Sequence, residues 1–323
     1  MPFQGANAPT AASARLGSNS LSTRIVRELT RNKYVYIMTL PVVIYYLIFC
    51  YGPMYGAQIA FRNYSITKGL LGSPWVGWEH FIRFFNGPYF ARLMTNTLLI
   101  SLYQIIFAFP APIILALLIN EITNIKFKKT VQTVVYLPHF ISMVVICSLI
   151  RTFVSRDGIV TNILSAFGLV QSTNLLGVPG YFRSIYTISD IWQGIGWGAI
   201  IYLSALTAID PQQYEAAIVD GANRFHLLWY VTIPGLMPTI VTMLILKIGR
   251  VMSVGSEKIL LLYNTNIYET ADVISTYVYR VGISEGFQLS YTTAVGLFTS
   301  VINFSLVILA NYISRRVSDS SLW

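Results

Sequence analysis

The sequence predicts an all-α integral membrane protein with six transmembrane helices and a polar loop between the fourth and fifth. Hydrophobic residues make up 54% of the 323-residue chain and charged residues only 11%, less than half of the roughly 25% that is usual in soluble domains. Six runs of about 20 predominantly apolar residues are each long enough to cross a bilayer. Because backbone groups in lipid must be paired within their own segment, these runs are expected to be helices.

The six predicted spans divide the chain into one long permease domain and two short tails. The spans cover residues 34–56, 92–120, 130–153, 185–208, 236–255 and 292–313. We expect the transmembrane domain to occupy 34–316, between an N-terminal tail at 1–33 and a C-terminal tail at 317–323. The polar loop that follows the fourth span occupies 210–235.

The distribution of basic residues predicts that both tails are cytoplasmic. The tail at 1–33 carries five basic residues against the single acid Glu28. Three lysines lie within the short loop at 126–129, and Arg315 and Arg316 follow the last span. Basic residues accumulate on the cytoplasmic side of membrane proteins. The net charge of +9 suits contact with anionic lipid, whereas no nucleic-acid-binding pattern is present.

Catalysis and ATP binding have no signature in the sequence. The chain has no Gly-x-x-x-x-Gly-Lys-Ser/Thr motif, the loop that cradles nucleotide phosphates, and no Gly-x-Ser-x-Gly nucleophile motif. Its two cysteines and three histidines lack the spacing of a disulfide framework or a metal site. We therefore predict a non-catalytic transport protein without a metal or cofactor of its own, driven by a partner ATPase or by an ion gradient.

Two other classes of membrane protein are weighed against an ATP-driven transporter. An ion-coupled secondary transporter is expected to show internal repeats and acidic residues at mid-membrane depth. A membrane enzyme is expected to cluster acids, histidines or metal ligands near one face. The 13 acidic residues are instead spread singly over loops and span ends, which favours the ATP-driven class.

The polar loop between spans four and five is expected to form two short helices. Asp210 can cap a helix whose first turn contains Pro211. The pair Asp220-Gly221 is a turn signal that ends this helix, and 223–230 can form a second one. Pro234 and the proline at position 238 are expected to break the chain before span five. Local chemistry alone would also fit an amphipathic surface loop.

The spacing of the loop residues adds a more specific indication. Glu-Ala-Ala is followed after three residues by a glycine, within Asp-Gly-Ala, and Ile-Pro comes twelve and thirteen positions after that glycine. This pattern resembles the EAA loop of type I ABC importer permeases, with isoleucine in place of the usual leucine. The resemblance implies a cytoplasmic coupling helix that seats in a groove of an ATPase subunit. The residues that carry it are Glu215, Ala216, Ala217, Asp220, Gly221, Ala222, Ile233 and Pro234.

The resemblance extends over about 32–316 and indicates a branch of the family. The segments 78–85, 136–140, 190–192 and 249–264 resemble maltose-type carbohydrate permeases, especially those of alginate-oligosaccharide importers. This implies a bacterial inner-membrane complex that imports acidic, uronate-type oligosaccharides, with a neutral oligosaccharide as the alternative. The implied partners are a second permease subunit in a heterodimer, an extracytoplasmic solute-binding protein, and two ATPase subunits that bind ATP and Mg²⁺.

The same resemblance implies where a sugar would pass. It places Asp190, Gly194 and Trp197 of span four at the sugar contacts, with Met252 in the same passage. Aromatic faces suit pyranose rings, and glycine allows a ligand to approach the backbone closely. The alternative is that the glycines serve helix packing.

Two cations are expected deep inside span five. If the helix is regular from Leu236, Lys247 lies about 16 Å and Arg250 about 21 Å inward, within an apolar core about 30 Å thick. Three positions apart, they would share one helix face. A buried cation is costly unless it faces water, a partner or an anion. They are expected either to pair with Asp190, Glu257 or the other permease subunit, or to line the passage and favour anionic sugars.

Overall fold

The computed structural model describes residues 28, 30–284 and 286–317, and this part of the chain is helical. It contains no β-strand, only one isolated bridge between Arg62 and Trp75. The predicted all-α class is therefore confirmed for the described residues. Most of the two predicted tails, at 1–33 and 317–323, lies outside them.

The described residues form seventeen α-helices. Their bounds are α1 Lys33–Tyr45, α2 Gly52–Met54, α3 Gly69–Gly72, α4 Glu79–Phe85, α5 Phe90–Tyr103, α6 Pro110–Asn120, α7 Ile125–Tyr136, α8 Met143–Phe153, α9 Ile159–Ala166, α10 Phe182–Thr207, α11 Pro211–Val219, α12 Arg224–Leu227, α13 Ile233–Ile248, α14 Ser256–Leu262, α15 Tyr268–Ala271, α16 Ile274–Tyr279 and α17 Leu289–Val317. Wider π-helical turns occupy Tyr46–Tyr51, Gln104–Ala108, Leu228–Thr232 and Arg280–Ser284. Tighter 3₁₀ turns occupy Tyr55–Phe61, Leu137–Phe140, Leu175–Gly177, Pro179–Tyr181, Val251–Ser253 and Thr265–Ile267.

The described residues divide into two units, with the boundary between Ala57 and Gln58. In the first unit, α1 is strongly apolar and has no buried side chain. Such a helix suits a lipid environment, where apolar side chains need no protein neighbour. The short α2 also belongs to the first unit, whereas α3–α17 and all the candidate site residues lie in the second.

Among the described residues, four continuous helical stretches are long and apolar enough to cross a membrane. They are Lys33–Phe61, Phe90–Asn120, Arg224–Ile248 and Leu289–Arg316. Two bent pairs bring the number to six. One joins Ile125–Phe140 to Met143–Phe153 at 100°, and the other joins Pro179–Thr207 to Pro211–Val219 at 68°.

One of the two bends lies at the end of a span, and the other lies within a span. The 26 residues of α10 give a helix about 39 Å long, so α10 can cross an apolar core by itself and the bend at Asp210 separates it from the loop helix. Neither α7 nor α8 is long enough alone, so the expected straight third span is replaced by a broken one. Pro138 is the second residue of the tight turn that ends α7, and the Ser142 hydroxyl accepts from the Val145 amide to start α8.

The fifth span also differs from its predicted bounds. One helical run extends from Arg224 to Ile248, so it begins earlier and ends earlier than the predicted 236–255. Pro234 and Pro238 were expected to break the chain, and this prediction is wrong. Both prolines are accommodated within this run. Pro234 follows directly on the π-helical turn at Leu228–Thr232, and Pro238 lies inside α13.

The helix α10 lies at the centre of the second unit and packs against α6, α7 and α13. Its approach to α7 is close at Gly196. A Cβ there would overlap the Val135 carbonyl group and lie 2.9 Å from Cδ1 of Tyr136. Glycine at this position therefore permits the two backbones to touch.

A buried carboxylate fixes the segment between the last two candidate spans. Asp272 is fully buried and accepts hydrogen bonds from Arg280 at 2.6 and 3.1 Å and from Arg92 at 3.3 Å. The Asn96 side chain donates to the backbone carbonyl groups of Glu269 and Asp272. Because Arg92 and Asn96 belong to α5, these bonds attach the segment to that helix.

Candidate functional site

Two regions of the second unit are candidates for function, a polar loop after α10 and a charged cavity between helices. The loop begins where α10 ends. Asp210 caps α11 by accepting a hydrogen bond of 2.9 Å from the Gln212 amide, and Pro211 occupies the first turn. The expected helix start is therefore confirmed.

The end of α11 is fixed by a glycine in a left-handed conformation. Gly221 has a φ of +83°. The Ala222 amide donates to the Ala217 carbonyl at 2.9 Å, and the Gly221 amide donates to the Ile218 carbonyl at 3.0 Å. These two bonds form a Schellman motif. A Cβ at Gly221 would meet nothing within 4 Å, so the backbone conformation, not space within the chain, requires glycine here.

The loop presents apolar and acidic side chains to its surroundings. Glu215, Ala216, Asp220 and Gly221 are exposed, and Ala217 and Ala222 are half-buried. Among the described residues, the Glu215 carboxylate has no hydrogen bond or ion pair. Three large apolar side chains nearby are more than two-thirds exposed, namely Val219, Phe225 and Tyr230. A cluster of exposed apolar residues on a polar loop is typical of a docking surface.

A hydrogen bond attaches this loop to the following span. The Tyr214 hydroxyl of α11 lies 3.1 Å from the Thr232 hydroxyl, which also donates to the Leu227 carbonyl. Thr232 belongs to the π-helical turn that leads into α13. The loop helix and the fifth span are therefore joined by a side-chain contact as well as by the chain.

The second region is a cavity of about 280 Å³ between α5, α10 and the end of α13. Its size is near the lower end of the usual range for small-molecule sites. Three charged residues line it, namely Asp190, Lys247 and Arg250. The other lining residues are Ser101, Gln104, Ile105, Tyr186, Val251, Ser253, Val254 and Gly255.

The helix that carries Lys247 ends at the cavity. Since α13 stops at Ile248, the expected regular helix through Gly255 is wrong, and Arg250 does not share a helix face with Lys247. The chain continues as a 3₁₀ turn at Val251–Ser253. Unwound backbone at membrane depth is tolerated where it lines a cavity and finds hydrogen-bond partners.

Polar side chains from two neighbouring helices supply those partners. The Ser101 hydroxyl of α5 donates to the Val251 carbonyl. Asn303 of α17 accepts from the Met252 amide at 2.9 Å and donates to the Ser253 hydroxyl at 2.9 Å. These hydrogen bonds hold the unwound segment in place and keep Arg250 at the cavity wall.

The two cations do not pair with the acids expected for them. The Lys247 ammonium donates to Oε1 of Gln104 at 3.3 Å. The Arg250 guanidinium makes no hydrogen bond or ion pair with the described residues, and neither Asp190 nor Glu257 neutralises either cation. The expectation of pairing with these two acids is therefore wrong within this part of the chain.

Asp190 is neutralised by a residue that the sequence analysis missed. Lys258 of α14, which lies between the fifth and sixth candidate spans, places Nζ 3.5 Å from Oδ1 of Asp190. The Lys258 side chain is 2% exposed and the Asp190 side chain 36% exposed. Burial lowers the pKa of the Lys258 ammonium, and the charge of Asp190 opposes that shift. Asp190 thus faces the cavity with a cation directly behind it.

The remaining predicted pathway residues do not line this cavity. Gly194 and Trp197 lie farther along α10, where a Cβ at Gly194 would meet nothing within 4 Å. Trp197 is half-exposed and stacks on His139, with ring centroids 4.4 Å apart and planes 4° apart. Met252 is buried and lines a neighbouring cavity of about 490 Å³. Ser253 borders both cavities.

Sequence reasoning also missed Gln104, although a signal for it was present. It is a polar residue within an apolar run, and such residues usually face a cavity or a partner. The role of Lys258 had no comparable signal, because its partner Asp190 lies 68 positions away in the chain.

The family of the chain is shown by comparison with known proteins. Residues 94–319 match the family described as binding-protein-dependent transport system inner membrane component. The polygalacturonan/rhamnogalacturonan transport system permease protein YteP of Bacillus subtilis (strain 168) is 44% identical over 300 residues, which cover 93% of each chain. Protein LplB of the same organism is 42% identical over 91% of this chain and 92% of its own length.

A solved structure gives the same result. A chain in the crystal structure of a bacterial alginate ABC transporter, in complex with an alginate pentasaccharide-bound periplasmic protein, has a TM-score of 0.84 and 42% sequence identity. The match covers 93% of this chain and 100% of that chain. The family inferred from the EAA loop is confirmed. The chain belongs to the inner membrane components of binding-protein-dependent transport systems and is a non-catalytic permease subunit of an ABC transporter.

Proposed function

We propose that this permease imports acidic oligosaccharides of the uronate class across a bacterial inner membrane. The observation that carries the proposal is the charge of the cavity wall. Lys247 and Arg250 face the cavity, neither is neutralised by an acid of the described chain, and Asp190 is already paired with Lys258. The wall therefore presents two uncompensated positive charges to any substrate that passes.

The size of the electrostatic effect is sufficient to select among sugars. Two unit charges 4 Å apart attract by about 4 kcal/mol at an effective dielectric constant of 20, against about 1 kcal/mol in bulk water. A uronate carboxylate beside either cation would gain this attraction, whereas a neutral sugar would not. Since 1.4 kcal/mol corresponds to a factor of ten, the cations favour acidic substrates.

The similar proteins support the same substrate class. One is named for the transport of polygalacturonan and rhamnogalacturonan, and another belongs to a transporter of alginate. Uronate residues supply the negative charges of these polysaccharides. The chain shares more than 40% of its residues with both over about nine-tenths of its length.

The proposed assembly follows from the loop and the family. The chain pairs with a second permease subunit, two ATPase subunits that bind ATP and Mg²⁺, and an extracytoplasmic solute-binding protein. Both termini and the loop at 210–235 face the cytoplasm, where Glu215, Ala216 and the turn at Gly221 dock onto an ATPase subunit. The exposed apolar side chains beside them would be buried in that contact.

The proposed passage runs along α10. It includes Asp190, Lys247 and Arg250 at the charged cavity, then Gly194 and Trp197 farther along the helix, with Met252 at the neighbouring cavity. One face of Trp197 is covered by His139. A pyranose ring would therefore use the other face of the indole or its exposed edge.

The proposal predicts a charge-dependent substrate response. The complete complex, reconstituted in vesicles with its binding protein, should hydrolyse ATP faster with uronate oligosaccharides than with neutral oligosaccharides of equal length. Lys247→Met and Arg250→Met should each lower the response to acidic sugars about tenfold or more, while complex assembly and basal ATP hydrolysis remain.

The matched control is Arg156→Met, which removes a positive charge from an exposed position outside the cavity. It should behave as the wild type. A wild-type complex stimulated only by neutral sugars, or cavity variants that respond normally to acidic sugars, would contradict the proposed substrate class. A neutral oligosaccharide would then be the better assignment.

A further inference from the structure

The ion pair behind the cavity raises the question of what Lys258 does for transport. Lys258 does not line the cavity and is 2% exposed, so it cannot touch a passing substrate. Its ammonium contacts Asp190, which does line the cavity. Any influence of Lys258 on the substrate must therefore act through Asp190.

Tyr186 helps to hold this arrangement. The Lys258 ammonium lies over the face of the Tyr186 ring, 5.7 Å from the ring centroid, and Tyr186 is 3% exposed. A Cβ at Gly255 would overlap the Tyr186 hydroxyl, so the chain just before α14 lies directly against the tyrosine. Lys258 is thus enclosed by packing on one side and by a carboxylate on the other.

The charges of the wall depend on this pair. Asp190, Lys247 and Arg250 together carry a net charge of +1, and the negative member stands where an acidic sugar would pass. Lys258 cancels the charge of Asp190 and raises the sum of the four groups to +2. The like-charge repulsion between Asp190 and a uronate carboxylate is removed by the same contact.

We propose that Lys258 is a specificity-determining positioning residue, which neutralises Asp190 from behind so that the cavity accepts anionic sugars. This inference rests on the proposed function, because it assumes that uronate oligosaccharides pass the cavity. It adds to that function the requirement that the charge of Asp190 is compensated by Lys258. The two positive residues at the wall are insufficient unless the Lys258 ammonium balances the negative charge of the Asp190 carboxylate.

The test compares free-acid oligogalacturonides with their methyl esters, which have the same sugar chain without its negative charges. The readout is the ratio of ATP hydrolysis stimulated by the acid to that stimulated by the ester, in the full reconstituted complex with saturating binding protein. A merely structural role of Lys258 would lower both rates together and leave the ratio unchanged. Selection by the binding protein is the same for every variant.

Lys258→Met should lower the acid-to-ester ratio about tenfold. The double variant Asp190→Asn with Lys258→Met removes both charges and should return the ratio to within about threefold of the wild type. The exposed Lys68→Met is the matched control and should leave the ratio unchanged. If Lys258→Met does not assemble, Lys258→Gln takes its place, since it removes the charge but keeps a hydrogen-bond donor.

The outcomes separate this inference from the proposed function. If the wild type prefers the acid and the Lys258 variants keep that preference, the inference is wrong while the proposed function stands. A double variant that stays as low as the single variant would also overturn it, because charge balance would not then explain the loss. A wild type without preference for the acid would contradict the proposed substrate class itself.

Discussion

At the residue scale, several polar side chains of the apolar helices lie at irregular backbone or contact it. Gln104 begins a π-helical turn and accepts from Lys247. Ser101 and Asn303 satisfy the unwound segment after α13. A buried polar group without a partner costs about 1–3 kcal/mol, so each of these residues is placed to meet a specific need. The unwound backbone after α13 lines the charged cavity, so the same polar residues support both.

Gly221 allows the first residue-scale prediction. Gly221→Leu should strongly reduce transport, because a non-glycine residue in the left-handed region costs roughly 1–2 kcal/mol and the turn that presents the loop would shift. Gly221→Asn should retain more transport, since asparagine tolerates this conformation better than leucine. Uptake into vesicles and recovery of the ATPase subunit with the purified permease would measure both effects.

The comparison of the two variants distinguishes an effect of backbone strain at this position from an effect of side-chain size. No atom of the chain lies within 4 Å of a Cβ at this position. Equal loss of transport in both variants would indicate a clash with the docked partner instead of backbone strain. Normal transport in both would contradict a coupling role for the loop.

The helix start and the turn of the loop at 210–235 could be predicted from sequence because their signals are local. Asp210, Pro211 and Gly221 each act on backbone groups within a few residues. The charged cavity could be predicted only in part. Lys247 contacts a residue 143 positions away, and Lys258 a residue 68 positions away. Hydropathy and local propensity carry no information on such pairings.

At the scale of elements, the positions of the spans followed from hydropathy, whereas their ends and bends did not. For the fifth span proline was a poor guide to breaks, because Pro234 and Pro238 both lie within the helical run Arg224–Ile248. The break within the predicted bounds of that span, after Ile248, has no proline. It is stabilised by Ser101 and Asn303 from other helices, so tertiary contacts determined where the helix ends.

Two glycines of α10 give a prediction at this scale. Gly196→Ala should destabilise the protein by about 1–3 kcal/mol, because a Cβ would overlap the Val135 carbonyl group and push α7 away from α10. Gly194→Ala is the matched control, since a Cβ there meets nothing within 4 Å. The thermal melting temperature of each purified variant in detergent would report the difference.

The expected result is a lower melting temperature for Gly196→Ala and an unchanged one for Gly194→Ala. It would assign helix packing to Gly196 and leave Gly194 free for contact with substrate. Equal melting temperatures in the two variants would mean that the helices separate without cost. The packing explanation for Gly196 would then be wrong.

At the scale of the whole molecule, the loop at 210–235 is joined on both sides to helices that reach the cavity. Before it, α10 carries Asp190. After it, one helical run of 25 residues extends from Arg224 to Ile248, a length of about 37 Å, and it ends beside Lys247 and the unwound Arg250. A displacement of the loop would therefore move both walls of the cavity. The two candidate regions are therefore connected through α10 on one side and through the run Arg224–Ile248 on the other.

This arrangement divides the work between subunits and leads to the last prediction. The purified chain alone should release no phosphate from ATP, because its sequence has no phosphate-binding loop. Adding the ATPase subunits should give hydrolysis that rises further with substrate-loaded binding protein, since the loop then connects the ATPase to the cavity. The ATPase subunits without the permease are the control for uncoupled hydrolysis. Phosphate release by the isolated chain would contradict its assignment as a non-catalytic subunit. An assembled complex whose rate of ATP hydrolysis did not change with the loaded binding protein would contradict coupling through the loop.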